Sequence, residues 1–173
     1  MLVLVTGGAA SGKSAVAERI CMELGGPLCY VATMQVWDEE DRARVRRHRA
    51  LRAGKGFSTV ECPVALEEAQ VPLGSTVLLE CLTTLAANEM FSPQGAGDGT
   101  LPAIRRGIAH LTGICRHVVV VTGELSSDGG EYPEETTAYL ECMAQLNREL
   151  AQQAQQVYEV VCGIPLCRKD EVR

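Results

Sequence analysis

Hydrophobic residues along the chain form short aliphatic runs separated by longer stretches with helical spacing. Aliphatic runs of four or five residues are typical of buried strands, and apolar residues at steps of three and four are typical of amphipathic helices. The predicted strands cover residues 2–5, 28–32, 58–61, 77–79, 118–121 and 157–161. The first predicted helix begins at Ser14, and the others cover residues 38–52, 85–91, 101–114 and 134–156.

The alternation of strands and helices determines the expected fold class. Strands joined through helices pair in parallel with right-handed crossovers, and strands that are aliphatic throughout are covered on both faces. We therefore predict an α/β fold with a doubly wound, mainly parallel sheet, in a single domain that spans residues 1–173. The polar, glycine-containing segments 92–100 and 123–133 are predicted as loops that could act as lids.

Composition limits the kinds of binding partner and the cellular compartment that we expect for this protein. The net charge of −6 argues against a protein that coats nucleic acid. Eight cysteines without a C-x-x-C pair indicate reduced thiols and a cytoplasmic location, and those in or beside apolar runs are expected to be small buried hydrophobes; these are residues 29, 81, 115, 142 and 162. No apolar run is long enough to span a bilayer.

The strongest local signal is a phosphate-binding motif between the first strand and the first helix. It matches the pattern G-x-x-x-x-G-K-[ST] and consists of Gly7, Gly8, Ala9, Ala10, Ser11, Gly12, Lys13 and Ser14. Small residues let backbone N–H groups turn towards phosphates, Lys13 reaches the β and γ oxygens, and the Ser14 hydroxyl can bind Mg²⁺. We call residues 7–14 the phosphate loop and predict that it binds a nucleoside triphosphate.

A carboxylate follows the strand at 77–79. A second Mg²⁺ ligand in such enzymes commonly stands at the carboxyl end of a neighbouring hydrophobic strand, and Glu80 occupies that place. The alternative is that Glu80 is an ordinary solvated residue at a strand end.

The helix predicted at residues 38–52, which we call the basic segment, combines one histidine with many arginines. Like charges one turn apart weaken a helix, so their density indicates a bound polyanion. Arg44 and Arg52 lie one turn on either side of His48 and would favour its neutral, nucleophilic form. The alternative is a solvated basic surface on which His48 has no role.

These segments together resemble the bifunctional adenosylcobinamide kinase / adenosylcobinamide-phosphate guanylyltransferase family of cobalamin biosynthesis. The resemblance extends over nearly the whole chain and rests on residues 4–9 and 11–14, 30–33 with 35, 44–45, 48–49 and 52, 59–61, 78–83, 119–122 with 124, 146–147, 161 and 163–165. The chain departs from the family pattern at several positions, among them Gly123, which replaces an Asn, and Gln155, which replaces an acidic residue. Ala10 stands where the family usually has Arg, and residues 53–57 replace a Pro-x-x-Trp stretch.

The resemblance implies a P-loop NTPase fold of RecA-like type, assembled as a homotrimer, that acts on a corrinoid. Such an enzyme phosphorylates adenosylcobinamide with ATP or GTP, and then transfers GMP from GTP through a guanylyl-histidine to give adenosyl-GDP-cobinamide. His48 matches the guanylylated histidine. The matching positions for nucleotide and Mg²⁺ contacts are Thr33, Arg49, Arg52, Glu61 and Glu80.

Two simpler functions also fit the residues. One is a P-loop kinase of a small hydroxyl substrate, in which His48 takes no covalent part. The other is a non-catalytic protein that binds a nucleotide and responds by moving its loops.

Overall fold

The computed structural model describes residues 1–36, 39, 42–43, 45–46, 50, 53–124 and 132–172. The strands are β1 (Leu2–Thr6), β2 (Leu28–Ala32), β3 (Phe57–Glu61), β4 (Thr76–Glu80), β5 (His117–Val121), β6 (Gln156–Val161) and β7 (Ile164–Asp170). The helices with described bounds are α1 (Lys13–Leu24), α2 (Leu82–Phe91), α3 (Thr100–Ile114) and α4 (Glu134–Gln153). Short 3-10 turns lie at Leu66–Glu68 and Gly97–Gly99.

The strands form one seven-stranded sheet in the order β3-β2-β4-β5-β1-β6-β7. Neighbouring strands are parallel except β6 and β7, which are antiparallel. The predicted α/β class with a doubly wound, mainly parallel sheet is confirmed. Since the carboxyl ends of β1, β2, β3 and β4 share one edge, the phosphate loop, Thr33, Glu61 and Glu80 are brought to the same side of the sheet.

The sheet is buried on both faces because alternate residues of each strand point to opposite sides. Leu2 and Leu4 of β1 belong to a core with α3 and α4, whereas Val3 and Val5 belong to a second core with α1. Two apolar layers therefore hold β1 in the middle of the molecule, with the phosphate loop at its carboxyl end.

The sequence prediction missed β7 and made the last helix too long. β7 is an edge strand whose residues are largely exposed, so it lacks the apolar signal of a buried strand. It follows a two-residue turn in which Cys162 has φ 50° and Gly163 has φ 79°, as in the tight turns that join antiparallel strands. α4 ends at Gln153, because the Gln155 amide donates to the Leu2 carbonyl (3.0 Å) and joins the sheet.

The cysteine prediction is partly wrong. Cys29 is buried, but Cys162 is exposed at the β6–β7 turn, and the thiols at 81, 115 and 142 are half-buried. Among the described residues, no helix combines the length and apolarity needed to cross a bilayer.

Candidate nucleotide site

The phosphate loop connects β1 to α1 as its motif predicts. The Lys13 ammonium donates to the Gly8 carbonyl (2.9 Å), so the side chain folds back over the loop. The Ser11 amide also donates to the Gly8 carbonyl (3.3 Å). Lys13 thus lies over the loop, where it can exchange a carbonyl partner for phosphate oxygens.

Two glycines of the loop are required by close packing. A Cβ at Gly7 would lie 2.6 Å from the Val160 carbonyl oxygen and 2.7 Å from Ser11 Oγ. Gly12 has φ 90°, and a Cβ there would lie 3.1 Å from Gly163 Cα. Ala10 adopts a left-handed conformation with φ 55°, which is unfavourable for a residue with a Cβ.

The turn between β6 and β7 packs directly against the phosphate loop. The Gly163 amide donates to the Ser11 carbonyl (2.8 Å), and Gly163 Cα lies beside Gly12. This contact, which the sequence reasoning missed, fixes one side of the loop. The sequence analysis noted segment 163–165 as part of the family resemblance, but the sequence alone does not show that this segment contacts the phosphate loop.

Ser14 and Glu80 meet beneath the phosphate loop. The Ser14 hydroxyl donates to Glu80 Oε1, although the two residues lie on α1 and β4. Carboxylate and hydroxyl oxygens suit Mg²⁺, which prefers oxygen ligands. The two predicted metal ligands are therefore in contact, and their chemistry fits a magnesium ion bound with a triphosphate.

Thr33 connects the ends of β2 and β4 and is almost fully buried. Its hydroxyl lies 3.0 Å from the Glu80 carbonyl oxygen and 3.1 Å from that of Cys81, and it accepts a hydrogen bond from the Cys81 amide (2.8 Å). Since its hydroxyl is engaged with backbone, Thr33 acts on the site by fixing the backbone at Glu80.

A further residue, Asn88 of α2, holds two loops at this edge of the sheet. Its Nδ2 donates to the carbonyls of Thr33 (2.7 Å) and Pro63 (2.9 Å). The loops that leave β2 and β3 are thereby tied to one amide. No motif in the sequence pointed to Asn88.

A cavity of about 120 Å³ opens beside these loops, and its walls are mainly apolar. It brings together three of the predicted site residues, which are Thr33, Glu61 and Glu80. Val45 of the basic segment also lines it. The remaining lining residues are Tyr30, Ala32, Met34, Val36, Thr59, Cys81 and Thr84.

His48, Arg49 and Arg52 lie outside the described residues. The described residues of the basic segment are helical, as predicted. Arg42 and Arg46 each contact the Glu39 carboxylate, at 3.4 and 3.0 Å. A carboxylate therefore stands between these two like charges.

The chain is similar in sequence to proteins of known family. The profile of the cobinamide kinase / cobinamide phosphate guanyltransferase family matches residues 3–167. The chain belongs to this family. It is 36% identical over 180 residues to the bifunctional adenosylcobalamin biosynthesis protein CobU of Escherichia coli, a match that covers 95% of this chain and 97% of that protein.

A second relative is similar to this chain in sequence, and a solved structure is similar to it in fold. The chain is 31% identical over 173 residues to the bifunctional adenosylcobalamin biosynthesis protein CobP of Pseudomonas aeruginosa, with 97% of each chain covered. A protein of Pyrococcus horikoshii OT3 is similar in fold, with a TM-score of 0.54 over 99% of this chain and 87% of that one at 8% identity. Family membership confirms the predicted cobinamide kinase and guanylyltransferase functions, and hence an enzyme.

A buried thiol lies on the helix that follows the phosphate loop. Burial raises the pKa of Cys21, on α1, to about 12, and the nearby carboxylates of Glu18 and Glu80 act in the same direction.

Proposed function

We propose that the chain phosphorylates adenosylcobinamide with a nucleoside triphosphate and then transfers GMP from GTP through a covalent histidine intermediate. The observation that supports both steps best is the cavity shared by Glu80 and Val45. Glu80 contacts Ser14 of the phosphate loop, and Val45 lies three residues before His48. One residue beside the proposed phosphate site and one residue of the segment that carries His48 thus line the same cavity, which supports the proposal.

In the first reaction, the phosphate loop holds the triphosphate through its amides and Lys13. The aminopropanol hydroxyl of the corrinoid attacks the γ-phosphorus, the bond to the nucleoside diphosphate breaks, and the alcohol proton is released. Lys13 stabilises the negative charge on the transferring group. Ser14 and Glu80 would hold Mg²⁺, which supplies further neutralisation of phosphate charge when bound.

In the second reaction, a neutral His48 nitrogen attacks the α-phosphorus of GTP. An N–P bond forms as the bond to pyrophosphate breaks. A phosphate oxygen of the phosphorylated corrinoid then attacks the same phosphorus, the N–P bond breaks, and the imidazole is regenerated. Arg49 and Arg52 are proposed to neutralise the phosphates during both displacements.

We propose that the nucleoside occupies the cavity near Thr33, Glu61 and Glu80. Guanine carries N–H groups that can donate hydrogen bonds to a carboxylate, and the Glu61 carboxylate lies at the cavity wall. Assembly as a homotrimer, a cytoplasmic location and a single domain over residues 1–173 are part of the same proposal, on the strength of the family resemblance and the composition.

The test is covalent labelling with GTP that carries ³²P at the α position. Wild-type protein should acquire an acid-labile, base-stable label, whereas His48→Ala should acquire none. His110→Ala is the matched control, because His110 lies on α3, with Nε2 3.4 Å from the Ala69 carbonyl oxygen.

Three results would contradict the proposal in different ways. Label that persists in His48→Ala would place the intermediate on another residue. Unlabelled wild-type protein that still phosphorylates cobinamide would be a simple kinase. Protein that binds nucleotide and transfers nothing would be a nucleotide-gated binding protein.

A further inference from the structure

A buried carboxylate on α1 pairs with a lysine just beyond the basic segment. Lys55 Nζ lies 2.5 Å from Glu18 Oε2, and the Glu18 side chain is only 9% exposed. A carboxylate this buried requires a partner, because removing one member of a buried pair leaves an uncompensated charge. The contact thus differs from the exposed ion pairs elsewhere on the described surface.

Glu18 lies on the face of α1 that is turned towards the nucleotide site. It follows Ser14 by one helical turn, and residues four apart share a helix face. Ser14 contacts Glu80, and the charges of Glu18 and Glu80 both act on the Cys21 thiol. Glu18 is therefore held by α1 in a fixed position relative to Ser14.

Lys55 lies in the short turn at 53–56 that joins the basic segment to β3. It is three residues after Arg52 and seven after His48. Gly54 and Gly56 flank it with φ values of 83° and 80°, so the turn has a backbone shape that favours glycine on both sides of the lysine. The ion pair therefore attaches the turn that follows the basic segment to α1, the helix that follows the phosphate loop.

We infer that the Glu18–Lys55 ion pair is a positioning contact for guanylyl transfer, which holds the basic segment in register with the phosphate loop. The inference rests on the proposed role of His48 as the covalent carrier. Neither residue of the pair touches the reacting atoms. The kinase step uses the phosphate loop without the histidine and should not depend on the pair.

The experiment compares two activities of the same variants. Lys55→Met should slow labelling by α-³²P-GTP about tenfold or more, since small misplacements of reacting groups are costly. Phosphorylation of cobinamide by ATP should stay within about twofold of wild type, because the phosphate loop is intact. Lys55→Arg, which keeps the charge, should restore labelling, and Glu18→Gln should reproduce the defect.

The control is Arg106→Met, which removes a different ion pair. Arg106 Nε lies 2.6 Å from Glu67 and joins α3 to the 3-10 turn at Leu66–Glu68. This variant should leave the ratio of labelling to kinase activity unchanged. A merely structural role for Lys55 would lower both of its activities together.

Two results would overturn the inference. Normal labelling in Lys55→Met and Glu18→Gln would show that the pair has no positioning role, while leaving the proposed function intact. An equal loss of both activities that the exchange Glu18→Lys with Lys55→Glu does not reverse would show a role in folding alone. Wild-type protein without label would instead refute the proposed function, and the inference with it.

Discussion

Asn88 shows how one side chain can shape a site that it does not line. Its amide donates to the Thr33 and Pro63 carbonyls, and Thr33 in turn fixes the backbone of Glu80. Asn88 therefore acts on Glu80, the proposed Mg²⁺ ligand, through an intermediate residue. Its neighbour Glu89 also holds two loops together, because its buried carboxylate accepts hydrogen bonds from the amides of Ala65 (2.7 Å) and Ala96 (3.0 Å).

We expect Asn88→Asp to weaken nucleotide binding more than it slows catalysis. A carboxylate has no N–H to donate and would face two carbonyl oxygens, and an unsatisfied buried polar group costs about 1–3 kcal/mol. The affinity for Mg-GTP should fall about tenfold, which corresponds to about 1.4 kcal/mol. Titration calorimetry measures this affinity, and the rate at saturating nucleotide measures catalysis.

Gln70→Glu is the matched control for this substitution. Gln70 also donates its amide to a backbone carbonyl, that of Glu68 (3.1 Å), but it is exposed. An unchanged affinity in Asn88→Asp would mean that the two loops hold their positions without this amide.

The residues that the sequence identified are those whose chemistry requires a fixed spacing. Lys13 and Ser14 belong to a contiguous motif, and Glu80 follows a recognisable strand, so all three could be assigned before the fold was known. Asn88 and Gly163 could not be found in this way. Asn88 binds the backbone carbonyl of Thr33, and Gly163 binds that of Ser11; both partners are distant in sequence. Every residue type has a backbone carbonyl, so the sequence does not reveal which carbonyl a distant residue will bind.

At the level of elements, α3 packs closely against the 3-10 turn at Leu66–Glu68. A Cβ at Gly107 of α3 would lie 2.5 Å from Leu66 Cβ, and Leu66 is itself almost fully buried. The close approach of these two elements therefore depends on a glycine in the middle of a helix, where glycine is otherwise unfavourable.

The substitution Gly107→Ala should destabilise the protein by about 1–3 kcal/mol, because an added methyl group overpacks this contact. Gly113→Ala on the same helix should instead stabilise it by up to about 1 kcal/mol, because alanine favours helix. Apart from the chain neighbours and the surrounding helix backbone, no atom of the described residues lies within 4 Å of the added Cβ. Urea unfolding of the two variants measures both changes. Equal effects of the two substitutions would refute the close packing.

The elements themselves were predictable to different degrees. The strands buried on both faces, such as β4 and β5, contain unbroken aliphatic runs, at 77–79 and 118–121, and these runs were sufficient to predict them. β7 at the edge of the sheet has no buried face to generate such a pattern. The end of α4 was missed because Ala154 is buried and continues the helical spacing, although its backbone has already become extended.

For the molecule as a whole, we expect the free energy of unfolding to fall at alkaline pH because of two buried thiols. Burial is the main cause that raises the pKa of Cys21 from 9.0 to about 12, and it also raises that of Cys62 to about 11. Above pH 9 the unfolded chain releases these protons while the folded protein retains them. The contribution of each thiol to stability is therefore complete below pH 9 and is lost as the pH rises towards its folded-state pKa.

The free energy of unfolding should fall between pH 9 and pH 11, with a contribution from Cys21 that approaches 1.4 kcal/mol per pH unit, about the value for one proton. Cys21→Ala should reduce this slope, whatever its effect on stability at neutral pH. Cys167→Ala, at an exposed thiol, should leave the slope unchanged. Urea titrations at three pH values provide the comparison, and equal slopes in wild type and Cys21→Ala would exclude the mechanism.

The contact between Gly163 and Ser11 has a consequence for how the protein acquires its activity during synthesis. The phosphate loop is encoded near the start of the sequence, yet its strand is held by partners 115 and 153 residues further along, and its outer wall is the turn after β6. When the motif has just been translated, the residues that hold the phosphate loop have not yet been made. We therefore expect affinity for a triphosphate to arise only when β6 and β7 have been synthesised, so that it reports on folding of these strands rather than on the presence of the motif.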